Sequence, residues 1–413
     1  MPARTAATNV VKKLVAAGFT AYFAGGWVRD FLMQRPSDDI DIATSASVEE
    51  VQALFPKTIP VGVAFGIVIV VEENFHFEVA TFRKDRNYVD GRRPTGIEPA
   101  SAEEDAQRRD FTVNGMFYDP INEKLLDYVE GQKDIQKRVI RAIGSPEERF
   151  LEDRLRMMRA VRYSTRFDFP IDEETVKAIK LHAASLLPAV AMERIWQEFK
   201  KMSQFAHFDS GLVTLHKLGL LPTIFHKLKE VSAEEIERRA EPIKHFPKDA
   251  PAIAELLELF PDLTLEQHLD LCDYLKLSNQ EREIVSFLHH SKTLFQMPEE
   301  WQKNLEKVEW ARYYANPLSE LCLRIVAARY PEEKREHFLE AHLKQMEAMQ
   351  PALERIRKQK PLVRAHHLKT AGVAPGRHMG LLLKECERIN INEGIEDPLL
   401  IIERMRKNPL WPW

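Results

Sequence analysis

The hydrophobic period of this chain changes along its length, and that change limits the folds open to it. Short β-branched and aromatic runs, typical of strands, are concentrated in the first part of the chain. These runs are Ala21–Ala24, Asp39–Ala43, Gly66–Val71 and Phe75–Phe82. From about Glu147 onward almost every segment has a helical period, with breaks at proline and glycine. The sequence therefore predicts an α+β head, in which helices accompany a small mixed sheet, followed by an extended all-helical remainder.

The length of 413 residues is too great for one hydrophobic core. We expect a head at 1–140, a helical neck at 141–205, a helical body at 206–330 and a helical tail at 331–413. No run of eighteen apolar residues occurs, so no membrane span is expected. Three widely spaced cysteines fit a reducing compartment and indicate a cytoplasmic protein. The sequence leaves open whether the chain is a monomer or a homodimer.

Two features of the head have the chemistry of a phosphate and metal site. A strand, the pair Gly25-Gly26 and the start of a helix follow one another, and two glycines at a helix N-terminus let N–H groups approach an anion closely. Further on, the strand period of two places Asp39 and Asp41 on one face. Adjacent carboxylates repel, so a strand displays them together mainly when a cation lies between them. Magnesium suits such a site, with Glu78 as a third candidate ligand.

Four motifs in this order resemble the class II tRNA nucleotidyltransferase and bacterial poly(A) polymerase family, whose head has the polymerase-beta-type nucleotidyltransferase fold. The motifs are Gly25-Gly26-x-Val28-Arg29-Asp30, Asp39-x-Asp41-Ile42-Ala43-Thr44, Arg108-Arg109-Asp110-Phe111-Thr112-Val113-Asn114-Gly115 and Glu152-Asp153-x-x-Arg156-x-x-Arg159-x-x-Arg162. The resemblance implies that Asp39 and Asp41 bind two magnesium ions. It also implies that the positions of Gly26, Arg29 and Arg109 contact the nucleotide.

The fourth motif predicts a reader of nucleotide bases. Asp153 and Arg156 are three residues apart, so on one helix they would share a face. A carboxylate that accepts and a guanidinium that donates match the amino group and ring nitrogen of cytosine and of adenine. Uracil and guanine present the reverse pattern and would leave polar groups unpaired. The resemblance implies this role for the pair and a nucleotide contact for Arg159 and Arg162. At a spacing of three, these arginines would form a stripe along one side of the helix. Without that context, an intrahelical salt bridge is the ordinary interpretation of Asp153 and Arg156.

Two further features of the head sequence predict local structure. Lys84–Gln107 has no periodicity and mixes glycine, proline and charges, which is typical of a mobile loop that closes over substrate or of a plain surface loop. Gly115 stands where the family more often has alanine, so we expect close backbone packing there.

Basic residues crowd one segment of the tail, although the net charge of the chain is −4. Local clusters are enough to hold a phosphate backbone. We expect the following side chains to contact RNA: Arg355, Arg357, Lys358, Lys360, Arg364 and Lys369. Solvated helix faces would have the same composition.

The expected function is template-independent addition of CCA to the 3′ end of tRNA from CTP and ATP. The alternatives are a partial enzyme that adds only CC or only A, a poly(A) polymerase, or a non-catalytic RNA-binding scaffold. The segment Val61–Val68 favours the CCA-adding form over poly(A) polymerases.

Overall fold

The computed structural model describes residues 2–35, 37–61, 65–88 and 94–412, and it contains two compact units, Met1–Glu241 and Pro242–Trp413. The predicted head and neck both lie in the first unit. The four-part division of the chain stays a prediction. Within the described ranges, no helix has the length and apolar character needed to cross a membrane.

The first unit is built on a seven-stranded mixed sheet with strand order β3-β4-β5-β2-β1-β8-β9, beside which β6 and β7 form a separate hairpin. The strands are β1 Ala21–Ala24, β2 Asp41–Thr44, β3 Thr58–Ile59, β4 Ile67–Glu72, β5 Phe75–Thr81, β6 Arg83–Tyr88, β7 Pro94–Pro99, β8 Phe117–Asp119 and β9 Lys124–Leu126. The β2–β5 pair is parallel and aligns Ile42 with Val79, whereas β1 runs antiparallel to β2. The order places β2 in the middle of the sheet.

Helices supply the rest of the first unit. They are α1 Ala3–Ala16, α2 Gly26–Leu32, α3 Val48–Leu54, α4 Ala102–Gln107, α5 Gly131–Lys137, α6 Pro146–Glu152, α7 Leu155–Phe167, α8 Glu173–His182, α9 Leu186–Ala189, α10 Met192–Met202, α11 Phe208–Lys217, α12 Leu220–Ile224 and α13 Ala233–Ala240. One face of α1, with Val10, Val11 and Leu14, is fully buried in the same core as Phe23 and Ile42 of the sheet. This packing fixes the sheet that carries the predicted carboxylates.

The second unit is helical throughout its described residues. Its helices are α14 Ala252–Leu256, α15 Leu265–Tyr274, α16 Asn279–Gln296, α17 Glu299–Lys303, α18 Lys307–Ala315, α19 Ser319–Ala327, α20 Glu332–Ala348, α21 Gln350–Arg357, α22 Ala365–Thr370, α23 Arg377–Glu393 and α24 Pro398–Arg406. A side-chain cap begins several of them, as at α16, where Ser278 and Glu281 form a reciprocal capping box. The predicted α+β head followed by a helical remainder is confirmed.

The segment Lys84–Gln107 is not a loop, and that expectation was wrong. It contains most of the β6–β7 hairpin and then α4, which begins with a capping box between Ser101 and Glu104. The sequence did not predict β7 because Pro94 and Pro99 stand at its two ends. Proline is tolerated in a strand only where no ladder donor is needed, as in a two-stranded ribbon. The tip Val89–Arg93 lies outside the described residues, as does 62–64 of the segment that favours the CCA-adding form.

Close packing at Gly115 is confirmed. A Cβ atom there would lie 2.8 Å from Cγ2 of Val129 and 2.9 Å from Cδ1 of Ile143, both inside normal contact distance. The residue therefore lets the turn after Asn114 press against the neighbouring core.

Candidate active site

A cleft of about 920 Å³ opens in the first unit, and most of the predicted site residues line it. Its walls come from the sheet, from α2 and from the neck helices α7 and α10. The predicted residues that line the cleft are Gly25, Gly26, Arg29, Asp39, Asp41, Glu78, Arg109, Asp153, Arg156 and Arg159. The fold thus brings the carboxylates of the head and the residues predicted to read the base to one cavity.

The acidic group of the cleft consists of Asp39, Asp41 and Glu78. Asp39 and Asp41 are exposed to the cleft, while Ile40 and Ile42 between and beside them are buried, as the strand period predicted. Glu78 is likewise exposed, on the strand β5 that pairs with β2. Asp41 and Glu78 therefore lie on adjacent strands, Asp39 lies just before β2, and all three line the cleft.

These carboxylates influence one another. The protein around Asp41 displaces bulk water even though its side chain opens into the cleft. This desolvation, with the negative charges of Glu78 and Asp39, raises the pKa of Asp41 from 3.8 to about 6. A cation would relieve that repulsion, which is the behaviour of a site that holds a divalent metal.

The donor set suits magnesium better than a metal that needs a closed protein cage. In the described part of the chain, no three His, Cys, Asp or Glu side chains are arranged to enclose an ion by themselves. Magnesium usually takes one or two carboxylates and fills its other positions with water and substrate phosphates. Asp39 and Asp41 fit that requirement. Among the described residues Glu78 does not complete a group of three ligands with them, but its negative charge raises the pKa of Asp41.

Gly25 and Gly26 form the turn from β1 into α2. Gly25 has a φ of 63°, and a Cβ on it would lie 3.1 Å from Nη1 of Arg109. A side chain at this position would therefore be strained and would crowd the arginine. The glycine keeps the backbone at the cleft accessible, as a site for phosphate requires.

Arg29 is nearly buried at the cleft wall and is held by several groups. Its Nε donates to Asp30 over 2.9 Å, its Nη1 donates to Oδ1 of Asn114, and its guanidinium lies 4.7 Å from the ring centre of Phe167. Burial lowers the pKa of Arg29, although Asp30 acts in the opposite direction. The side chain is thus a fixed positive charge beneath Gly26.

Arg109 is oriented from α4. Its Nη2 donates to Asp105 over 3.0 Å, and its guanidinium lies over the ring of Phe117. Burial alone would raise the pKa of Asp105, but the charges of Arg109 and Arg108 lower it. A fully charged carboxylate therefore holds both arginines of this motif at the cleft.

Arg159 reaches the cleft from α7 and is fixed by Asp110. Its Nε donates to Oδ2 of Asp110 over 2.7 Å, while Oδ1 accepts from the backbone of Phe111 and from Asn114. Burial would raise the pKa of Asp110, yet the Arg159 charge and its hydrogen bonds lower it to about 2. Arg159 thereby connects the neck to the third motif.

The structure changes the expected geometry of Asp153 and Arg156. They do not share a helix, because α6 ends at Glu152 and Asp153 has extended backbone angles (φ −145°, ψ 105°) before α7 begins. They also form no salt bridge with each other. Asp153 pairs with Arg194 of α10 over 2.9 Å, and Arg156 pairs with Glu152 over 2.6 Å. Both nevertheless line the cleft, with separate supports.

Arg162 does not line the cleft, so the expected stripe of arginines ends at Arg159. Its Nε donates to Glu198 over 2.6 Å, and both side chains are buried between α7 and α10. The contact joins two helices of the neck. Arg166, one turn further on, does line the cleft and pairs with Asp30 over 3.0 Å.

Sequence reasoning missed Arg194, Arg166 and Tyr163 as cleft residues. Arg166 and Tyr163 follow the fourth motif at helical spacing, which was a usable signal. Arg194 is 41 residues from its partner Asp153. No local pattern in the sequence connects these two.

The predicted RNA-contacting residues of the tail fall into two groups. Arg357 donates to the carbonyl oxygens of Tyr314 and Ala315, Arg355 donates to Asn390, and Lys358 pairs with Glu354. These three have partners inside the second unit. Lys360, Arg364 and Lys369 are exposed to solvent. Arg357 and Lys358 are exposed as well, and the pair of Lys358 with Glu354 lies at the surface.

Comparison with known proteins identifies the family of the chain. A family model described as "Poly A polymerase head domain" matches residues 21–141, and one described as "Probable RNA and SrmB- binding site of polymerase A" matches residues 168–232. The CCA-adding enzyme of Streptococcus pyogenes serotype M4 is 30% identical over 98% of this chain and 96% of that protein. The chain belongs to the CCA-adding enzyme family. The predicted family is confirmed, and a CCA-adding enzyme implies a divalent metal ion.

Solved structures extend the comparison to three dimensions. The crystal structure of the Bacillus stearothermophilus CCA-adding enzyme in complex with CTP has a TM-score of 0.80, with 28% identity over 98% of both chains. The Thermotoga maritima CCA-adding enzyme complexed with tRNA has a TM-score of 0.68 at 18% identity, covering 96% of this chain and 93% of that one, which shows the shared fold.

Other curated relatives match over a shorter stretch. The CCA-adding enzyme of Streptococcus gordonii is 43% identical over 216 residues, which are 52% of this chain and 54% of that protein. The chain thus spans about half the length of this relative.

Proposed function

We propose that this chain is a tRNA nucleotidyltransferase that adds C and A to the 3′ end of tRNA from CTP and ATP and releases pyrophosphate. One observation carries the proposal: Asp153 and Arg156 open into the same cleft as Asp39, Asp41 and Glu78. A base reader and a metal-binding acidic group within one cavity are what template-independent nucleotide addition needs. Membership of the CCA-adding enzyme family supports the same assignment.

We propose Mg²⁺ as the metal, held by Asp39 and Asp41 with Glu78 nearby. When bound, two such ions lower the pKa of the attacking 3′-hydroxyl and stabilise the triphosphate and the leaving pyrophosphate. In the reaction, the 3′-oxygen of the RNA bonds to the α-phosphorus of the nucleotide, and the bond from that phosphorus to the bridging oxygen breaks. The carboxylates keep the acidic edge of the cleft negative, so that the ions bind there.

The arginines have separate tasks. Arg29 and Arg109 offset the negative charge of the triphosphate beside the Gly25-Gly26 turn. Asp153 accepts a hydrogen bond from the amino group of cytosine or adenine, and Arg156 donates to the neighbouring ring nitrogen. Arg159 holds the neck against the head through Asp110, so that base and phosphate sites keep their separation.

The RNA partner is tRNA, and its phosphate backbone contacts the tail of the protein. We propose that Lys358, Lys360, Arg364 and Lys369 make the phosphate contacts, because all four are exposed and the pair of Lys358 with Glu354 lies at the surface. Arg355 and Arg357, which donate to oxygens inside the second unit, would stabilise the tail instead. The chain would act in the cytoplasm, which its three free, buried cysteines support.

The test uses three tRNAs that lack the last one, two or three nucleotides, incubated with the full chain, Mg²⁺, CTP and ATP. We expect all three to be extended to CCA and then to stop, with products resolved at single-nucleotide length. The Asp39→Ala, Asp41→Ala double variant should be inactive but still bind tRNA. Asp38→Ala is the matched control, because that exposed carboxylate is adjacent in sequence but does not line the cleft.

Each alternative gives a different product. A long ladder of A would indicate a poly(A) polymerase, and arrest after CC, or extension only of the CC-ending tRNA, would indicate a partial enzyme. Binding of tRNA without extension, equal in the wild type and the double variant, would indicate a scaffold and would overturn the proposal.

A further inference from the structure

A second cavity, of about 740 Å³, opens in the second unit, where the end of α16, the helices α17 and α18 and the long helix α20 meet. Aromatic side chains line it, namely Phe295, Trp310, Tyr330, Phe338 and His342. The helix α20 covers this cluster although none of its 17 residues is buried. Protein interiors are close-packed, so an opening of this size beside an aromatic cluster requires an explanation.

The aromatic residues of the cavity form one continuous cluster. The ring centre of Phe338 lies 5.1 Å from that of Phe295 and 5.2 Å from that of Tyr330. His342 lies 4.5 Å from Phe338 and 5.4 Å from Trp310. Phe295 and Trp310 are buried, whereas the other three rings are partly exposed. Partly exposed rings offer faces on which a planar ligand stacks.

Two polar groups of the lining keep hydrogen-bonding capacity. Oη of Tyr314 donates to Oε1 of Gln345 over 2.9 Å, and Nδ1 of His342 lies 2.6 Å from the same Oη. The phenol has one proton, so Nδ1 of His342 donates and its Nε2 is an acceptor. Within the described residues, neither this Nε2 nor the amide nitrogen of Gln345 has a partner. The edge of a nucleobase, with donors and acceptors side by side, would pair with both, whereas a hydrocarbon would pair with neither.

The cavity also has positive charges at its rim. Lys303 of α17, Lys307 of α18 and Lys334 of α20 line it and are exposed. Among the described residues, these three lysines form no ion pair, and Glu299 is the one acidic side chain in the lining. An ammonium group without a carboxylate partner is available to a phosphate group.

We propose that this cavity binds a nucleotide, with its base stacked on the rings beside α20 and its phosphate held by the three lysines. The rings match the faces of a base, His342 and Gln345 match its polar edge, and the lysines match the phosphate charge. The lining shares no residue with the cleft of the first unit, so the inference goes beyond the proposed function. A free nucleotide and an unpaired nucleotide of a bound RNA have this chemistry in common, and the experiment distinguishes them.

The test uses two pairs of matched variants on α20. Ala341 lines the cavity with its smallest side chain, so Ala341→Trp fills the space, whereas Leu343 is exposed outside the lining and Leu343→Trp is the control. Lys334→Gln removes one rim charge and leaves the rings in place. Its control is Lys344→Gln, because Lys344 pairs with Glu340 at the surface and lies outside the lining. Circular dichroism checks that all four variants fold.

The first measurement detects a free nucleotide. Equilibrium dialysis of the full chain with radiolabelled ATP and Mg²⁺, without RNA, counts the nucleotides bound per chain at saturation. We expect A341W to bind one ATP fewer than the wild type and L343W. K334Q should bind that ATP about tenfold more weakly than K344Q, because one charge-assisted hydrogen bond is lost. Photocrosslinking with 8-azido-ATP should label peptides of α17 or α20 in L343W but not in A341W.

The second measurement detects a nucleotide that belongs to RNA. In that case the dialysis count is equal in all chains, and the affinity for tRNA lacking CCA reports the site instead. A341W should then bind this tRNA about tenfold more weakly than L343W, because one stacked base is lost. K334Q should reduce the slope of log affinity against log salt concentration by about one relative to K344Q, because one phosphate contact is lost.

Equal ATP counts together with tRNA affinities of A341W and L343W within about twofold of each other would overturn the inference. A loss in L343W as large as that in A341W would also overturn it, because the effect would then belong to the helix and not to the cavity. Both measurements report binding and need no catalysis. A wild-type chain that extends no tRNA but shows either cavity-dependent result would therefore overturn the proposed function and leave this inference in place.

Discussion

Asp110 is the buried carboxylate that fixes Arg159 at the cleft, and its replacement tests how much this contact stabilises the neck. The interaction lowers the pKa of Asp110 from 3.8 to about 2. One pKa unit corresponds to about 1.4 kcal/mol, so the ionised side chain stabilises the folded state by about 2 kcal/mol at neutral pH. Asp110→Asn also leaves the charge of Arg159 without its partner, which brings the expected loss to about 3 kcal/mol.

The assay is native-state hydrogen–deuterium exchange of the peptide that contains α7, at pH 7 and without nucleotide. A loss of about 3 kcal/mol corresponds to roughly a hundredfold faster exchange of its protected amides. The sign of the pH dependence also follows. Because the pKa of Asp110 is lowered on folding, its contribution is present above pH 4 and is lost as the pH falls towards 2. The Asp110→Asn variant has no carboxyl group at this position, so its free energy of unfolding should lack this part of the decrease at low pH.

The matched control is Glu174→Gln, which removes an exposed ion pair with Lys177 on α8. Such surface pairs contribute little, so its exchange should equal that of the wild type. Exchange of α7 in Asp110→Asn that is less than about threefold faster than in the wild type would refute the reasoning.

Further predictions concern the acidic group and a packed glycine. Asp41→Asn should reduce extension by roughly a thousandfold, since several kcal/mol of transition-state stabilisation depend on the metal site; an unchanged rate would exclude Asp41 as a ligand. Because the pKa of Asp41 is raised to about 6, extension at limiting Mg²⁺ should fall below that pH as the carboxyl takes up a proton. Glu78→Gln should move this fall to lower pH in rate–pH profiles. Gly131→Ala should cost about 2 kcal/mol of stability in urea unfolding, because its Cβ would lie 2.4 Å from the Thr112 carbonyl oxygen, whereas Gly380→Ala, with open space around it, should not.

Sequence reasoning found the features that depend on the spacing of neighbouring residues along the chain. The strand period at Asp39–Ala43 located Asp39 and Asp41, because side chains two residues apart in extended backbone share a face; in the structure β2 begins at Asp41 and Asp39 lies just before it. The close packing at Gly115 was expected from the family resemblance instead, because alanine is more usual at that position. Such patterns depend on a few neighbouring residues, so they are visible without the fold.

What the sequence did not indicate depends on distant residues. Neither proline nor glycine marks the break between α6 and α7, so a single helix was the natural expectation for Asp153 and Arg156. Arg162 fits the stripe by spacing, but the buried Glu198 from α10 binds it away from the cleft. The choice between an arginine that meets substrate and one that joins two helices is made by tertiary packing.

The break between the helices α6 and α7 at Asp153 bears on how one site would serve the two nucleotides of different size that we propose as substrates. Within a continuous helix, residues three apart keep a nearly constant separation of about 5–6 Å between Cβ atoms. Here the acceptor Asp153 follows the end of α6 and pairs with Arg194 of α10, whereas the donor Arg156 lies on α7. Their separation therefore depends on the backbone angles at the joint. Cytosine has one ring and adenine two, so we expect a small rotation at that joint to adjust the spacing to either base while Asp39 and Asp41 stay in place.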